Sequence, residues 1–330
     1  MKIDPAKLKP VAEFTHESPL LRCAFDAGDR FLFAGGHGRD VLAIDVASGQ
    51  KTLLPGHESW VGGMSRVGEL LLTSDYAGRV IAWDCGGKEP RKRWLKDAHA
   101  STIYALSAGP DGKSFATCDR DGIVRIWQAE DGKQRHELPR NEFPVYGVAL
   151  HPDGKRIVTA DRQPQKPRVQ VWDIASGKEQ RSIEVAELSG YRRVEDIEWG
   201  GIRALALSPD GTRIVACGRN GYDGQACVLV YDTESGKLQH KLALALKGGF
   251  YYSAQFHPDG FLLTAGGDVA KGEFRGWDLT RGESLMSIAT AGPCHGLDVN
   301  PRGNRIIVAQ SVGKRSTPES GVLSLHEWSM

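Results

Sequence analysis

The sequence predicts an all-β protein built from seven copies of one repeating unit. A five-residue apolar segment recurs seven times, and most of its interior positions hold β-branched residues, Leu or Phe, which favours strands that are packed on both faces. A unit of this size cannot bury its own apolar surface, so the copies are expected to stack on one another. The copies span residues 30–34, 69–73, 114–118, 156–160, 213–217, 261–265 and 305–309.

A second predicted strand follows each of these segments and sets the length of the repeat. Its last positions lie 39 to 59 residues apart, a period that fits a four-stranded sheet with its turns. These positions are Asp45, Asp84, Gln128, Asp173, Asp232, Asp278 and Glu327, and the residues before them are Ile44, Trp83, Trp127, Trp172, Tyr231, Trp277 and His326. Pro-Asp-Gly turns at 110–112, 152–154, 209–211 and 258–260, with the variant Pro-Arg-Gly at 301–303, supply the fixed φ and the left-handed residue of a tight hairpin.

These motifs together resemble those of the WD-repeat (WD40) β-propeller family, and the resemblance covers nearly all 330 residues. It implies seven four-stranded blades around a central channel. In this family a His, a Ser or Thr, an Asp and the Trp form a buried hydrogen-bonded chain with a structural role. The third repeat matches with His99, Thr117, Asp121 and Trp127, and the second with His57 and Trp83, where Ala77 stands in the place of the turn Asp.

The last repeat lacks a turn into a fourth strand, because the sequence ends three residues after Glu327. A blade of three strands would leave an exposed edge that invites aggregation. Residues 10–15 read like the fourth strands elsewhere, and residues 15–18 parallel residues 56–59. We therefore expect one domain over residues 1–330, in which an N-terminal strand of about residues 10–15 completes the blade formed by about residues 293–330.

The composition limits the classes of function. A net charge of +1 and the absence of long Lys/Arg runs argue against nucleic-acid binding. No apolar stretch approaches the ~20 residues of a membrane span, and no signal segment follows Met1, which predicts a soluble cytoplasmic protein without a membrane partner. The six Cys fall in or beside predicted strands and are expected to be buried and reduced. A reactive pair of Cys217 and Cys227 is a minor alternative.

The candidate site is one face of the predicted propeller. Its connections between second and third strands lengthen from the fourth repeat onward, and residues 186–201 form the longest insertion between repeats. Long loops on one side of a rigid scaffold are a common place for binding. One position at the start of the innermost strands faces the channel mouth on this side: Arg22, Gly62, Tyr104, Tyr146, Arg203, Tyr252 and His295, with Trp60, Phe250 and Tyr251 beside it and Trp199 in the insertion. The rim leans basic through Arg162, Lys166, Arg168, Arg192, Arg193, Arg219, Lys314 and Arg315.

Tyr, Trp and Arg are the residue types that dominate the energetics of interfaces. The sequence thus predicts a non-catalytic scaffold that binds a protein or peptide partner at the channel mouth, and a partner with an acidic segment is the sharper hypothesis. The ten His are scattered, so no metal or cofactor is expected. Two alternatives stay open. Tyr and Arg can fill a propeller's mouth without binding anything, and a lactonase-like hydrolase could use channel carboxylates from Asp298 or residues 195–198.

Overall fold

Each of the seven repeats forms one four-stranded antiparallel sheet in a computed structural model of the chain. The structure describes residues 3–163, 165–189, 191–192, 197–198, 201–220, 224–247, 249–268, 270–314 and 317–329. A short 3₁₀ turn, Pro5–Lys7, leads into the first strand, β1 (Leu8–His16). Seven such sheets side by side constitute a seven-bladed β-propeller, as predicted.

The first four blades follow in chain order, each from its innermost to its outermost strand. Blade 1 consists of β2 (Leu20–Phe25), β3 (Phe31–Gly36), β4 (Val41–Asp45) and β5 (Lys51–Leu54). Blade 2 consists of β6 (Val61–Val67), β7 (Leu70–Asp75), β8 (Arg79–Asp84) and β9 (Arg91–Asp97). Blade 3 consists of β10 (Ile103–Ala108), β11 (Ser114–Asp119), β12 (Val124–Gln128) and β13 (Gln134–Glu137). Blade 4 consists of β14 (Val145–Leu150), β15 (Arg156–Asp161), β16 (Arg168–Asp173) and β17 (Glu179–Glu184).

The insertion between blades 4 and 5 contains a 3₁₀ turn and a two-stranded ribbon. These are Ala186–Leu188, β18 (Tyr191–Arg192) and β19 (Ile197–Glu198). Blade 5 consists of β20 (Gly201–Leu207), β21 (Arg213–Arg219), β22 (Gln225–Asp232) and β23 (Leu238–Lys247). Blade 6 consists of β24 (Phe250–Phe256), β25 (Leu262–Gly267), β26 (Gly272–Asp278) and β27 (Glu283–Thr290).

Blade 7 is completed by the N-terminal strand. Its other strands are β28 (Cys294–Val299), β29 (Arg305–Lys314) and β30 (Thr317–Trp328). Strand β1 pairs antiparallel with β30, from Leu8 opposite Trp328 to His16 opposite Gly321. Each innermost strand contacts the innermost strand of the next blade, and β28 contacts β2. The predicted closure is confirmed, with a strand longer than residues 10–15.

The apolar core lies between the blades, where the face of one sheet packs on the next. Between blades 7 and 1, for example, Phe25 and Leu32 pack with Ile307 and Leu325. The hairpins that lead into the second strands have the predicted geometry. The glycines that end these turns, Gly112, Gly154, Gly211, Gly260 and Gly303, have φ between 63° and 94°, a region that favours Gly.

A buried hydrogen-bonded chain supports blade 3, but its acid is Asp119. The Nε1 of Trp127 donates to Oγ1 of Thr117 (2.8 Å), the Thr117 hydroxyl donates to Nε2 of His99 (2.7 Å), and Nδ1 of His99 donates to Asp119 (2.8 Å). The other carboxylate oxygen of Asp119 accepts the backbone amides of Asp121 and Ile123. The prediction of Asp121 is wrong because its side chain points to solvent, while the residue at the end of β11 faces the buried imidazole.

Blade 2 contains the same chain in full. His57 joins Asp75 (3.1 Å) and Thr73 (2.7 Å), and Trp83 donates to Thr73 (2.9 Å). The expectation that Ala77 leaves this blade without its acid is therefore wrong, because Asp75, at the end of β7, occupies the place that Asp119 has in blade 3. Among the described residues, blades 4 and 6 contain the pair of Trp and Thr, since Trp172 donates to Thr159 and Trp277 donates to Thr264.

The six cysteines are free and buried, as predicted. Cys217 lies opposite Val228 in the sheet of blade 5, and Cys227 lies opposite Gly218, so the two Cys side chains point to opposite faces. They belong to different apolar clusters. Burial raises the pKa of the Cys217 thiol, which opposes formation of a thiolate. The alternative of a reactive pair is therefore wrong.

His326 in blade 7 stands where four other blades hold Trp. Its imidazole is buried (6% exposed) and meets the aromatic ring of Phe274 edge-on at 5.0 Å. Neither ring nitrogen has a hydrogen-bond partner among the residues that the structure describes. Burial lowers the pKa of His326 to about 4.

We expect His326 to destabilise the protein as the pH falls from about 6.5 to about 4. In that window the imidazole of the unfolded chain, with a pKa of about 6.5, takes up a proton that the buried imidazole does not. The unfolded state then binds more protons than the folded state. The free energy of unfolding therefore decreases as the pH decreases, by up to about 3 kcal/mol for this group. The change His326→Phe should reduce this pH dependence in urea unfolding. The control is His136→Gln, on an exposed strand, which should leave the dependence of the free energy of unfolding on pH unchanged. If H326F also left that dependence unchanged, its assignment to His326 would be wrong.

Candidate binding site at the channel mouth

A central channel of about 580 Å³ runs along the innermost strands. Its lining includes five of the residues predicted for the mouth: Arg22, Tyr104, Tyr146, Arg203 and Tyr252. They converge because each occupies the equivalent position at the start of an innermost strand. Tyr104 and Tyr146, from neighbouring blades, stack face to face with centroids 3.9 Å apart and an interplanar angle of 19°.

Blade 2 supplies its aromatic side chain from a different position. Gly62 occupies the place of Tyr104 or Tyr146, and a Cβ on Gly62 would come within 2.2 Å of the aromatic ring of Tyr76. Tyr76 lies in the turn between β7 and β8, so it reaches across the glycine and meets Tyr104 edge-on at 6.4 Å. Only Gly fits under this ring. At this position of the repeat the other six blades have a large side chain, and only blade 2 has a glycine. That difference was the sequence feature that could have indicated a side chain reaching the mouth from another position of blade 2.

Two further aromatic groups extend the row outward. Trp60 lies 5.9 Å from Tyr76 and stacks on His37 at 3.8 Å with an interplanar angle of 14°. Trp60 is 44% exposed, which is unusual for so large an apolar side chain. We call His37, Trp60, Tyr76 and Tyr104 the aromatic arc. Sequence reasoning missed His37 and Tyr76 because both come from turns between second and third strands.

Three arginines alternate with two aromatic side chains on the part of the mouth that continues from Tyr104 through Tyr146. The guanidinium of Arg162 lies 5.0 Å and that of Arg203 5.5 Å from the centre of the Tyr146 ring. Arg203 also lies 4.9 Å and Arg219 5.1 Å from the centre of the Phe250 ring. Nη1 of Arg162 donates to the hydroxyl of Tyr146 (2.9 Å). We call these five residues the arginine stack.

Burial, followed by the charge of Arg162, lowers the pKa of Arg203. The guanidinium remains protonated at neutral pH, because an arginine side chain is not deprotonated in proteins. The lowered pKa means that the protonated form of Arg203 is less stable here than in water, because the group is buried and lies close to a second cation. Three guanidinium groups therefore lie close together on this side of the mouth.

The remaining mouth residues close the row between the two groups. Tyr252 lies 5.6 Å from Phe250 and 4.5 Å from His295. Burial and then the neighbouring Arg22 lower the pKa of His295 to about 3, so this imidazole is neutral at physiological pH. Nη1 of Arg22 donates to the carbonyl of Leu21 (2.8 Å) and to that of His295 (3.0 Å), so its guanidinium is used within the channel wall.

Several predicted residues lie elsewhere. Tyr251 is fully buried (0% exposed) in the core between blades 5 and 6, so its placement beside the mouth is wrong. Arg168 is not a free rim charge, since its Nε donates to the buried Asp161 (2.8 Å). The side chain of Arg192, together with Arg193 and Trp199, lies outside the described residues.

The channel below the mouth contains one carboxylate among the lining residues that the structure describes. Asp298 accepts the amide of Phe25 (2.8 Å) and Nε2 of Gln255 (3.1 Å), and Nη1 of Arg66 lies 4.0 Å away. Burial raises the pKa of Asp298. These contacts join blades 1, 2, 6 and 7 at the channel wall. Of the other candidates for a hydrolase, residues 195–196 lie outside the described residues.

Two general features of the described residues bear on function. They contain no group of three or more His, Cys, Asp or Glu side chains that could hold a metal ion. In the same part of the chain, no helix has the length and apolarity needed to span a membrane.

Seven stacked antiparallel sheets, a central channel and the buried chains of His, Asp, Thr and Trp define the chain as a seven-bladed β-propeller. The family model "WD domain, G-beta repeat" (WD40) matches residues 91–128, 132–173 and 196–228. The first two matches each begin at the outermost strand of one blade and end at the third strand of the next. The chain therefore contains WD repeats at three positions within a seven-bladed β-propeller.

Several curated proteins are similar to this chain at low identity. Protein TOPLESS of Arabidopsis thaliana is 25% identical over 225 residues, which is 66% of this chain and 18% of that protein. Polyadenylation factor subunit 2 of Candida albicans is 29% identical over 115 residues, 34% of this chain and 20% of that protein. Target of rapamycin complex subunit wat1 of Schizosaccharomyces pombe is 22% identical over 225 residues, 66% of each chain. The chain thus spans about a fifth of the length of the first two relatives.

Proposed function

We propose that this protein is a non-catalytic scaffold that binds a protein or peptide partner at the channel mouth. The observation that carries the proposal is the continuous row of half-exposed Tyr, Trp and Arg side chains across the mouth. These are the residue types that anchor interfaces, because each buries a large area and retains a polar group. Two of the relatives support the proposal, since their names describe subunits of larger assemblies.

The packing of the mouth favours tight binding without a conformational change. Tyr104 is held by Tyr146 on one side and by Tyr76 on the other, and Arg203 is held between two aromatic rings. Side chains that are already ordered lose little conformational entropy on association. The arginines at the mouth also favour a partner with an acidic segment, since complementary charge speeds encounter and selects among partners.

The hydrolase alternative has weaker support. General acid-base chemistry on a carboxylate pair needs two carboxyl groups that can both reach one substrate. The described lining of the channel offers Asp298, which is already bound by an amide, a glutamine and a nearby arginine. We therefore assign the site to binding.

Replacing Tyr104 and Tyr146 together with Ala should weaken binding of a partner roughly 100-fold or more, since each buried aromatic anchor typically contributes about 2 kcal/mol or more. The partner is first isolated by affinity capture and mass spectrometry, then purified, and its Kd is measured by calorimetry. The melting temperature should change little, because both side chains are partly exposed and lie at the mouth.

The control variants alter other surfaces of the same protein. Arg302→Ala changes a 78% exposed side chain in the hairpin at the far end of β28, and Leu285→Ala changes the outermost strand of blade 6. Both should bind as the unchanged protein does. A purified partner whose Kd is the same for the double Tyr variant and the unchanged protein would place the site elsewhere.

A further inference from the structure

The aromatic arc is a continuous row of rings at the channel mouth. Three successive contacts of 3.8, 5.9 and 6.4 Å join His37, Trp60, Tyr76 and Tyr104. Trp60 is exposed, and the other three side chains are half-buried. The arc therefore offers an aromatic surface to a partner, with Trp60 as its most accessible ring.

The arc is held in place before any partner binds. Trp60 stacks on His37 with an interplanar angle of 14°. The amide of Tyr76 donates to the carbonyl of Trp60 (3.1 Å), and the hydroxyl of Thr102 donates to the carbonyl of Tyr76 (3.1 Å). Because residue 62 is glycine, the ring of Tyr76 can lie directly over its backbone. An ordered aromatic surface loses little conformational entropy on association, and the total loss is smallest when the ligand is stiff as well.

The side chains of the arc are uncharged at physiological pH. Burial lowers the pKa of His37, and burial followed by a hydrogen bond from a neighbouring tyrosine raises the pKa of Tyr104. Arg22 interacts electrostatically with Tyr76, so it would repel a cationic ligand at the arc. Its Nη1 donates to two backbone carbonyls of the channel wall. The charges on and beside the arc therefore favour an uncharged ligand over a cationic one.

The arc also offers hydrogen-bond donors. The indole N–H of Trp60 can only donate, and the hydroxyl of Tyr76 is a second donor. Neither group has a hydrogen-bond partner within the part of the chain that the structure describes. The matching ligand brings acceptors and apolar groups but few donors, because a donor that finds no acceptor loses its hydrogen bond to water.

A segment in the polyproline II conformation has this chemistry. Proline has no backbone N–H, and the carbonyls of polyproline II form no internal hydrogen bonds. Such a segment is already stiff, and its apolar rings pack on aromatic side chains. An α-helix uses its carbonyls internally, and an extended strand brings N–H groups for which an indole has no acceptor. The two contacts from Trp60 to Tyr104 span at most about 12 Å, which about four residues of polyproline II cover.

We propose that the aromatic arc binds a proline-rich segment of a protein partner in the polyproline II conformation. This inference rests on the proposed function and names the chemical class of the partner. Proline rings of the segment pack against Trp60 and Tyr104. The side chains of Trp60 and Tyr76 donate hydrogen bonds to carbonyl oxygens of the segment.

The test measures binding of fluorescein-labelled decapeptides to the full-length protein by fluorescence polarisation. L-decaproline should bind with a Kd below about 1 mM, as a short uncharged contact allows. D-decaproline has the same composition but forms the helix of opposite hand, so it should bind at least about 10-fold more weakly. Decapeptides of alternating Ala and Lys, or alternating Ala and Glu, should also bind more weakly than L-decaproline.

Variants of the protein assign the contact to the arc. W60A removes the exposed anchor and should weaken binding of L-decaproline about 30-fold or more. Y76F keeps the ring but removes the hydroxyl, so it should weaken binding roughly 3- to 10-fold. The control is L95A, which removes a 41% exposed apolar side chain from the outermost strand of blade 2 and should leave the Kd unchanged. Thermal unfolding shows whether each variant retains the fold. If W60A does not fold, W60F keeps a ring without the indole N–H and should weaken binding as Y76F does.

The outcomes separate this inference from the proposed function. The inference is overturned if L-decaproline does not saturate the protein, if both enantiomers bind equally, if a charged decapeptide binds more tightly, or if W60A leaves the Kd unchanged. The captured partner and the double variant of Tyr104 and Tyr146 test the proposed function independently. If that variant weakens the partner while L-decaproline fails, the mouth remains a binding site with a different occupant. If the partner also binds the double variant as it binds the unchanged protein, both are wrong.

Discussion

Replacing Asp119 with Ala should lower the free energy of unfolding by about 3–5 kcal/mol, the range for removing one member of a buried ionic or hydrogen-bonded pair. The carboxylate accepts Nδ1 of His99 and the amides of Asp121 and Ile123. Without it these three donors lose a buried partner. His99 in turn orients Thr117 and Trp127, so the loss extends through the chain of hydrogen bonds. Urea unfolding of the purified variant measures the effect.

Asp121→Ala is the matched control, because it removes the same group two residues later in the same turn. The Asp121 side chain is exposed, and we expect a change within about 0.5 kcal/mol. The pair of variants also tests which residue is the acid of blade 3. Equal effects of D119A and D121A would contradict the hydrogen-bonded chain described above.

The contribution of Asp119 should also depend on pH. Burial alone would raise its pKa, but the hydrogen bonds from His99 and from the amide of Ile123 outweigh burial and hold the pKa below its usual value. A carboxylate with a lowered pKa stabilises the fold above the unfolded pKa of about 4, and that contribution is lost as the pH falls further. The loss of unfolding free energy in D119A should therefore be constant above pH 4 and become smaller below it. The destabilisation by His326, in contrast, develops as the pH falls from about 6.5 to about 4.

Removing residues 1–16 should lower the free energy of unfolding by about 3–5 kcal/mol and the melting temperature by roughly 5–10 °C. Strand β1 contributes Leu8 to the core between blades 6 and 7, and Ala12 and Phe14 to the core between blades 7 and 1. Its loss also exposes the backbone edge of β30. Exposed edges pair with other chains, so the truncated protein should aggregate at lower concentration.

A synthetic peptide of residues 3–18 provides the control for this truncation. Added in excess, it should raise the melting temperature in a concentration-dependent way, because it binds the folded state alone. The same peptide with Phe14→Asp should be less effective. If the truncated protein without the peptide had the same melting temperature as the full-length protein, β1 would contribute little to closure of the propeller.

Much of the architecture was accessible from local sequence patterns. The apolar segments appear as the second strand of each blade, and the turns ending in Gly112 and Gly154 have the left-handed glycine that their sequence requires. The pairing of β1 with β30 followed from counting turns, since the last repeat had no fourth strand of its own. Strand periodicity and turn chemistry are properties of a few neighbouring residues, so a single repeat is enough to recognise them.

The candidate site was only partly accessible. Tyr104, Tyr146 and Arg203 could be aligned because they occupy one position of the repeat. Tyr76 and His37 could not, because they enter the mouth from turns of variable length. Tyr251 was misplaced because it was grouped with its neighbour Tyr252, which lines the channel, whereas the Tyr251 side chain is buried in the core between blades 5 and 6.

The sequence by itself determined the number of blades, the strand that closes the last one, and the convergence of aromatic and basic side chains on one mouth. Tertiary structure alone decided that Asp119 is the acid that holds His99, that Arg168 serves the buried Asp161, and that Arg203 lies between two aromatic rings from different blades. The physical reason is distance. Repeats and turns depend on residues close in the chain, whereas hydrogen bonds and ring contacts between blades depend on how separate strands twist and pack.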